Sequence, residues 1–437
     1  MSKLKTAIAE ADLILLGVCI ALVVIGILSI YSSGVTAEGI LVSREYVRQI
    51  IWAVSGFFLL IAFASMDYKR YKDYSFFIYL ALMAVLIYTR FFGRVVNGAR
   101  SWIGVGDIGV QPSEFAKIAA ILFLAHYLED SEYEGGFRRL GKCFLIILVP
   151  VGLILSQPDF GTSLVFFPIL ITMIFVAGLD RRYILFLFIW GLLTSVLTVL
   201  PFWERYILDR PTNILFILYQ TPYAYYLLLV FAFVLSFAVW GYSSFKRYYY
   251  FWIAYITFAL FGSLAASILA HKVLKEYQIM RLIVFLDPSI DPRGSGWNII
   301  QSITAIGSGG FSGKGFLNGT QSHYRYIPQQ STDFIFSIVA EEWGFVGSLF
   351  LFGLFLLLLV RCIVLMRSIQ DRYARYVTAG IFGMFFFHFM INSGMAMGIM
   401  PITGIPLFFL SYGGSSLWTA LSAVGILLGI SIRRYRS

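Results

Sequence analysis

Charge is scarce in this sequence, and so are cysteine, histidine and proline. Only 13% of the 437 residues are charged, about half of the roughly 25% that soluble domains carry. This excludes an ordinary soluble domain. With 59% hydrophobic residues, the composition indicates a protein that crosses the membrane many times. The net charge of +10 would suggest nucleic-acid binding in a soluble protein, but membrane topology accounts for it here, so no nucleic-acid partner is expected.

The rarity of cysteine and histidine limits the metal and redox chemistry that we expect. The four histidines are scattered and form no metal-binding motif, so no metal is assigned. The three cysteines lie in or beside apolar segments without paired spacing, which predicts neither a disulfide framework nor a zinc site: Cys19, Cys143 and Cys362.

Long apolar segments are abundant. A helix needs about 20 apolar residues to cross the hydrocarbon core of a bilayer. The first such segment lacks a clean signal-peptide cleavage site, and we interpret it as a retained helix. The sequence therefore predicts an all-α polytopic integral membrane protein, one transmembrane domain over 1–437, with about twelve spans. These lie near 12–33, 47–66, 74–92, 114–129, 142–157, 161–179, 183–201, 222–243, 250–271, 333–361, 376–397 and 411–432.

Lysine and arginine in short loops mark the cytoplasmic side of a membrane protein. Six clusters agree on one side only if both termini are cytoplasmic, which places the loops 93–113, 158–160, 202–221 and 272–332 outside. The 272–332 loop is rich in glycine, glutamine and aromatic residues, and its unusual length favours a folded, functional cap. The clusters are Lys69/Arg70/Lys72, Arg138/Arg139/Lys142, Arg181/Arg182, Lys246/Arg247, Arg367/Arg372/Arg375 and Arg433/Arg434/Arg436.

Asp333 stands where the polar 272–332 loop runs into a long apolar helix. Two interpretations are open. Asp333 is an N-cap that satisfies free amides and complements the helix dipole, or it is a general base held at the boundary between water and lipid. The two are compatible, because a capped carboxylate is also a positioned one.

Lys117 lies about one turn inside the fourth predicted span, where a lysine needs a partner. Glu114, one turn away, is a local candidate. The alternative is an acid on another helix, and Asp333 is the candidate that we favour.

The external 93–113 loop carries Arg94, Arg100 and Trp102. Guanidinium groups suit phosphate geometry, so these arginines predict an anionic ligand unless they are merely solvated. Asp159 adds a second acid at the same face, and a helix stop with an Asp cap is the interpretation that we favour for it.

The glycine-rich segment 307–315 is similar in composition to a phosphate-binding loop, but its residue spacing does not match the Walker motif. Glu341 and Glu342 follow Asp333 by about two helical turns. Both must face the protein interior or water, and we interpret both as structural.

Taken together, several motifs resemble those of the membrane glycosyltransferases of shape, elongation, division and sporulation, the SEDS family. The match spans nearly the whole chain, and the segment 319–322 resembles the elongation (RodA) branch rather than the division (FtsW) branch. The motifs include Ser101-Trp102-Ile103, Gln111-Pro112-Ser113-Glu114-x-x-Lys117, Gln157-Pro158-Asp159-x-Gly161-Thr162, Gln301-Ser302, Lys314-Gly315, Gly319-Thr320-Gln321, Thr332-Asp333-Phe334 and Ser411-Tyr412-Gly413-Gly414-Ser415-Ser416.

The resemblance implies a peptidoglycan glycosyltransferase of the bacterial cytoplasmic membrane that polymerises lipid II at the outer face. Its partners would be a class B penicillin-binding protein and the elongation machinery. Asp333 carries over as the catalytic base and Lys117 as its partner. No cofactor is implied, although a divalent cation at the diphosphate is left open. The substrate contacts that we expect are Arg94, Arg100, Trp102, Glu114, Asp159, Gln301, Lys314, Gln321 and Ser415.

The sequence departs from the family pattern in three places. Gln329 and Ser331 replace an acid and a histidine that usually precede the catalytic acid, and 296–298 reads Gly-Trp-Asn instead of Gly-Tyr-Gln. Residues 202–271 add a predicted pair of helices to the ten spans that are typical of the family. Two rival functions stay open: a flippase for a lipid-linked precursor, and a non-catalytic scaffold for a transpeptidase.

Overall fold

The structure is a computed structural model that describes residues 12–434 apart from 97, 106–107, 205–220, 274–275 and 293. Helices dominate it, and one small antiparallel sheet, β1 (Arg94–Val96), β2 (Ala99–Val105) and β3 (Ile108–Val110), precedes the fourth helix. The helices are α1 Leu13–Ser33, α2 Glu45–Ser65, α3 Tyr68–Phe92, α4 Pro112–Asp130, α5 Gly136–Ser156, α6 Phe160–Leu164, α7 Phe166–Val176, α8 Arg181–Trp203, α9 Thr221–Phe245, α10 Tyr248–Val273, α11 Glu276–Leu286, α12 Ser295–Ser308, α13 Thr320–His323, α14 Ile335–Ser368, α15 Arg372–Ala396 and α16 Gly414–Arg433.

Ten of the described helices are long and apolar enough to cross a membrane: α1, α2, α3, α5, α8, α9, α10, α14, α15 and α16. The predicted span at 114–129 is the 19-residue helix α4, which is not one of these ten. The predicted span at 161–179 consists of two shorter helices, α6 and α7. The chain is therefore the all-α, multi-pass membrane protein that the sequence predicts, with one predicted span broken in two.

One compact unit comprises residues 1–178 and 297–437. Helix α16 packs along α2, and α15 contacts α4, α7 and α14. The α2–α16 contact is close, because a Cβ atom at Gly425 would lie only 2.5 Å from the carbonyl oxygen of Leu60. Small residues at such crossings let membrane helices approach each other. This packing makes α16 the most deeply enclosed of the ten spans.

Helix α14 is interrupted at Gly344, whose φ of 64° and ψ of −159° are not helical. The loop 310–315 replaces the helical hydrogen bonds that this break removes. Upstream of the break, the carbonyls of Glu341 and Glu342 accept from the N–H groups of Lys314 (3.1 Å) and Gly315 (2.9 Å). Downstream, the N–H groups of Phe345 and Val346 donate to loop carbonyls, those of residues 310 and 311. The loop and the two halves of the helix thus form one hydrogen-bonded element.

The connection between α15 and α16 has no helix and is nevertheless mostly buried from Ile402 to Ser411. Irregular backbone is tolerated at membrane depth only where protein covers it. Here the covering comes from α1, for example, because a Cβ atom at Gly26 would lie 2.5 Å from the carbonyl oxygen of Phe409.

The second compact unit comprises residues 179–296. Helix α10 packs against both α8 and α9. The hydroxyl of Tyr255 donates to the carbonyl of Arg182 (2.7 Å), and a ring nitrogen of His271 lies 2.9 Å from the carbonyl of Thr198. Two long helices, α9 and α10, correspond to the pair predicted in 202–271, and their status as an insertion relative to the family stays a prediction. The predicted 272–332 loop contains α11, α12 and α13, so it carries folded structure.

Candidate functional site

Gln111 joins three segments at the start of α4. Its backbone N–H donates to Oγ of Ser415 (2.9 Å), and its side-chain Nε2 donates to Oδ2 of Asp159 (2.7 Å). Pro112 follows at the first helical position, where the missing N–H costs nothing. The structure therefore brings together two predicted substrate contacts, Asp159 and Ser415, next to the helix that carries Lys117.

Asp159 caps helix α6. Its Oδ1 accepts from the N–H of Thr162 (3.2 Å), and its Oδ2 accepts from the hydroxyl of the same residue (2.9 Å). The prediction of a helix stop with an Asp cap is confirmed. Because Gln111 also bonds this carboxylate, the cap fixes α6 against the start of α4.

Lys117 is completely buried. Its Nζ donates to Oε1 of Glu114 (2.7 Å), lies 3.1 Å from Nε2 of His388, and sits 5.3 Å from the centre of the Phe408 ring. The local partner that the spacing offered, Glu114, is thus confirmed. A direct pair between Lys117 and Asp333 stays a prediction.

His388 and Asn392 link Lys117 to the segment that holds Asp333. Nδ1 of His388 lies 2.9 Å from the carbonyl oxygen of Pro406. One turn along α15, Nδ2 of Asn392 donates to the carbonyls of Asp333 (2.9 Å) and Ile405 (2.8 Å). Sequence reasoning missed both residues. The sequence did contain a signal for them, since two polar side chains four residues apart lie inside a predicted span. Burying a polar group in the membrane is energetically unfavourable unless it has a partner.

Asp333 is half-buried and lies two residues before α14 begins. The N-cap interpretation of Asp333 is wrong by one position, because Phe334 occupies the N-cap of α14. Asp333 instead closes a turn in which its N–H donates to the carbonyl of Gln329 (3.1 Å). Its backbone is therefore fixed from two directions, by this turn and by Asn392.

Arg94 and Arg100 are exposed on the small sheet. Arg94 pairs with Trp102 across β1 and β2. The guanidinium of Arg100 donates to the carbonyl of Phe91 (2.9 Å), and its backbone N–H donates to the carbonyl of Gln157 (3.2 Å). The second bond attaches the sheet to the turn that precedes Asp159.

Lys314 and Gln321 converge on the buried carboxylate of Glu341. Nζ of Lys314 lies 2.9 Å from Oε1 of Glu341, and the backbone N–H of Gln321 donates to the same oxygen (2.8 Å). Ser322 donates to the other oxygen through both its N–H (3.1 Å) and its hydroxyl (3.0 Å). The charge of Lys314 is therefore already compensated, which weakens its predicted role at a diphosphate.

Glu342 is buried next to Glu341 and fastens α1 to the same region. The hydroxyl of Ser32 donates to its carboxylate, and Nε2 of His323 lies 3.3 Å from it. Both glutamates hold the structure together here, in agreement with the structural interpretation. Gln301, another predicted substrate contact, is half-buried on α12 next to Ser302, whose hydroxyl donates to the carbonyl of Ala396 (2.6 Å).

These features define a multi-pass membrane protein with a buried polar cluster between α4, α15 and the start of α14. The family model for the cell cycle proteins FtsW, RodA and SpoVE matches residues 12–225 and 212–436. The chain belongs to this family, which confirms the resemblance seen in the sequence.

Two curated relatives cover nearly the whole chain. The peptidoglycan glycosyltransferase RodA of Treponema pallidum (strain Nichols) is 50% identical over 98% of this chain and 99% of its own length. The stage V sporulation protein E of Bacillus subtilis (strain 168) is 32% identical over the same shares.

Solved structures share the fold. A chain from a peptidoglycan synthase complex that coordinates polymerization and crosslinking is 28% identical, with a TM-score of 0.66 over 98% of this chain and 99% of that chain. The crystal structure of the rod shape determining protein RodA of Thermus thermophilus is 25% identical, with a TM-score of 0.61 over 98% of both chains.

Proposed function

We propose that this protein is a peptidoglycan glycosyltransferase that polymerises lipid II into glycan strands at the outer face of the bacterial cytoplasmic membrane during cell elongation. The 50% identity over 98% of the chain to a protein named peptidoglycan glycosyltransferase RodA carries the proposal. The geometry supports it, because the backbone of a half-buried acid, Asp333, accepts a hydrogen bond from Asn392, one helical turn from the His388 that contacts buried Lys117.

In the proposed reaction Asp333 is the general base. It takes the proton from a hydroxyl of the acceptor sugar while that oxygen bonds to the anomeric carbon of the donor. The bond between this carbon and the diphosphate oxygen breaks, and the undecaprenyl diphosphate leaves as an anion. No second carboxylate is needed to protonate this leaving group, in contrast to a glycosidase.

The diphosphate requires cations outside the membrane. Arg94 and Arg100 are exposed on the small sheet and suit phosphate oxygens. Lys314 contributes less, because it already pairs with Glu341. A divalent cation remains compatible with this chemistry.

In the proposed topology both termini are cytoplasmic. The connections that follow α2, α9 and α14 and the end of α16 then meet the cytosol with their lysines and arginines. The sheet and the segment that precedes α14 lie outside, where lipid II is polymerised. A class B penicillin-binding protein would supply the transpeptidase, by analogy with the synthase complex that has this fold.

Purified protein incubated with lipid II tests the function. Wild type should produce glycan chains, whereas Asp333→Asn and Asp333→Ala should lower the rate by at least ~100-fold, because a general base contributes about 10²–10⁴-fold. Asp180→Asn is the matched control. It alters another acid, which caps α8 and whose side chain is about half-exposed, and it should leave the rate within about twofold.

The rival functions give different results in the same preparation. A flippase would move labelled lipid II across vesicles and would keep this activity in Asp333→Asn. A scaffold would show neither polymerisation nor transport. Either pattern, with well-folded wild-type protein, overturns the proposed function.

A further inference from the structure

We infer that His388 and Asn392 are positioning residues that hold Lys117 and Asp333 in a fixed relation to each other. The inference rests on the proposed glycosyltransferase function. Neither residue needs to touch the substrate. They act through Asp333, the base of the proposed reaction, and through Lys117, its predicted partner, and both positioning residues lie on helix α15.

The hydrogen-bond partners of His388 define its tautomer. A backbone carbonyl only accepts, so the nitrogen 2.9 Å from the oxygen of Pro406, Nδ1, carries a hydrogen. Nε2 lies 3.1 Å from the ammonium of Lys117, which only donates. The imidazole is therefore neutral, with Nε2 as an acceptor for the lysine.

The ring of His388 has little freedom to leave this orientation. It stacks on Phe408, with the ring centroids 3.6 Å apart and the planes 16° from parallel. It is also almost completely buried. The acceptor nitrogen is thus held at one place by a stacking contact and by the bond to Pro406.

His388 and Glu114 together set the direction of the Lys117 ammonium. The group has three N–H bonds in a tetrahedral arrangement. One points to Glu114 (2.7 Å) and one to His388 (3.1 Å), so the direction of the third is set as well. Among the described residues, loss of the His388 acceptor leaves Glu114 as the hydrogen-bond partner of the ammonium, which can then rotate about that one bond.

Asn392 does the same for the backbone of Asp333. Both of its amide hydrogens are used, one on the carbonyl of Asp333 and one on that of Ile405. Asn392 is completely buried and lies four residues after His388, so both side chains are on the same face of α15. One turn of helix therefore separates the acceptor for the Lys117 ammonium from the donor to the Asp333 backbone.

The positions of Lys117 and Asp333 matter because the rate of a catalysed reaction is sensitive to the placement of the catalytic groups. A displacement of about 1 Å at a reacting centre costs roughly 100-fold in rate. The rate of polymerisation should respond to His388 and Asn392 through kcat, while the KM for lipid II should change little.

His388→Phe and His388→Gln test the inference. Phenylalanine retains a flat ring for stacking on Phe408 but removes both nitrogens, and it should lower kcat by about 10- to 100-fold, the effect of a lost hydrogen bond to a charged group. Glutamine restores an acceptor and should recover most of this loss. The KM for lipid II should stay within about threefold in both variants.

Two further variants complete the experiment. Asn392→Leu has nearly the same volume without donors and should also lower kcat. Phe385→Leu is the matched control, because Phe385 packs edge-on against Phe408 from the same helix but forms no polar bond in this cluster. It should keep kcat within about threefold. Thermal unfolding midpoints identify variants that merely destabilise the fold.

The outcomes separate this inference from the proposed function. If wild type does not polymerise lipid II, the function fails and the inference falls with it. The inference alone is overturned if wild type is active and His388→Phe matches it. It is also overturned if glutamine rescues nothing, or if Phe385→Leu loses as much activity as His388→Phe.

Discussion

At the scale of single residues, several buried charged side chains form ion pairs with oppositely charged side chains. Lys117 pairs with Glu114, Glu341 with Lys314, and Asp12 with Arg361 at 2.8 Å. Only the first of these pairs was predictable from the sequence, because residues three apart on a helix are neighbours. The other two join residues that are far apart in the chain, and spacing carries no information about them.

The Lys117–Glu114 pair makes a prediction about stability. Lys117→Met removes the cation and leaves Glu114 charged inside the protein, which should destabilise the fold by about 3–5 kcal/mol. The double variant Lys117→Met/Glu114→Gln removes both charges and should recover a large part of that loss. Thermal unfolding in detergent measures both. If the double variant is less stable than the single one, the buried pair is not what stabilises this site.

At the scale of elements, the sequence predicted where helices lie better than where they end. Helix α14 was expected at 333–361 and runs from Ile335 to Ser368. A charge at Arg361 suggests an end, but Asp12 neutralises it and the helix continues. Similarly, α3 begins at Tyr68 rather than at 74, because its first turn is polar and adds no hydropathy. The apolar content of the sequence indicates only the part of a helix that lies in lipid. The bounds of the whole helix are set by its backbone hydrogen bonds, which continue into polar residues.

The break in α14 was not predictable from hydropathy, because the glycine-rich loop that fills it lies about 30 residues upstream. Gly344 needs a backbone conformation that is almost restricted to glycine, and a Cβ atom there would lie 2.2 Å from the backbone nitrogen of Gly313. The segment 307–315 is therefore the structural counterpart of the break. This contact also explains why the segment is rich in glycine, although it does not match a phosphate-binding loop.

Gly344→Ala should consequently displace the loop 310–315. It should lower the free energy of unfolding by about 1–3 kcal/mol, the usual cost of a strained backbone residue. Gly353→Ala is the matched control. It lies in the same helix with nothing within 4 Å of an added Cβ atom, so it should be neutral or stabilising, because alanine favours helix. Unfolding midpoints and the rate of tryptic cleavage at Lys314 measure the difference. Equal behaviour of the two variants would contradict the role of the break.

At the scale of the whole molecule, the all-α, multi-pass architecture was the most predictable property, because bilayer thickness sets the length of apolar sequence that a span needs. The candidate site was predictable in part. Its acid and its lysine lie in recognisable motifs, whereas the contacts of His388 and Asn392 arise from the packing of α15 against α4 and the segment before α14. Contacts between helices depend on how the helices pack in three dimensions, and this packing cannot be read from the spacing of residues in one sequence.

The proposed sidedness predicts which face of the membrane each loop meets, and introduced cysteines measure it. The three native cysteines are buried, so they should give little background with a reagent that does not cross membranes. Glu38→Cys, in an exposed turn between α1 and α2, should be labelled in intact cells. Tyr133→Cys, at a side chain that is 96% exposed between α4 and α5, should be labelled only after the membrane is opened. The reverse pattern would place Asp333 in the cytosol, away from lipid II at the outer face, and would overturn the proposed reaction.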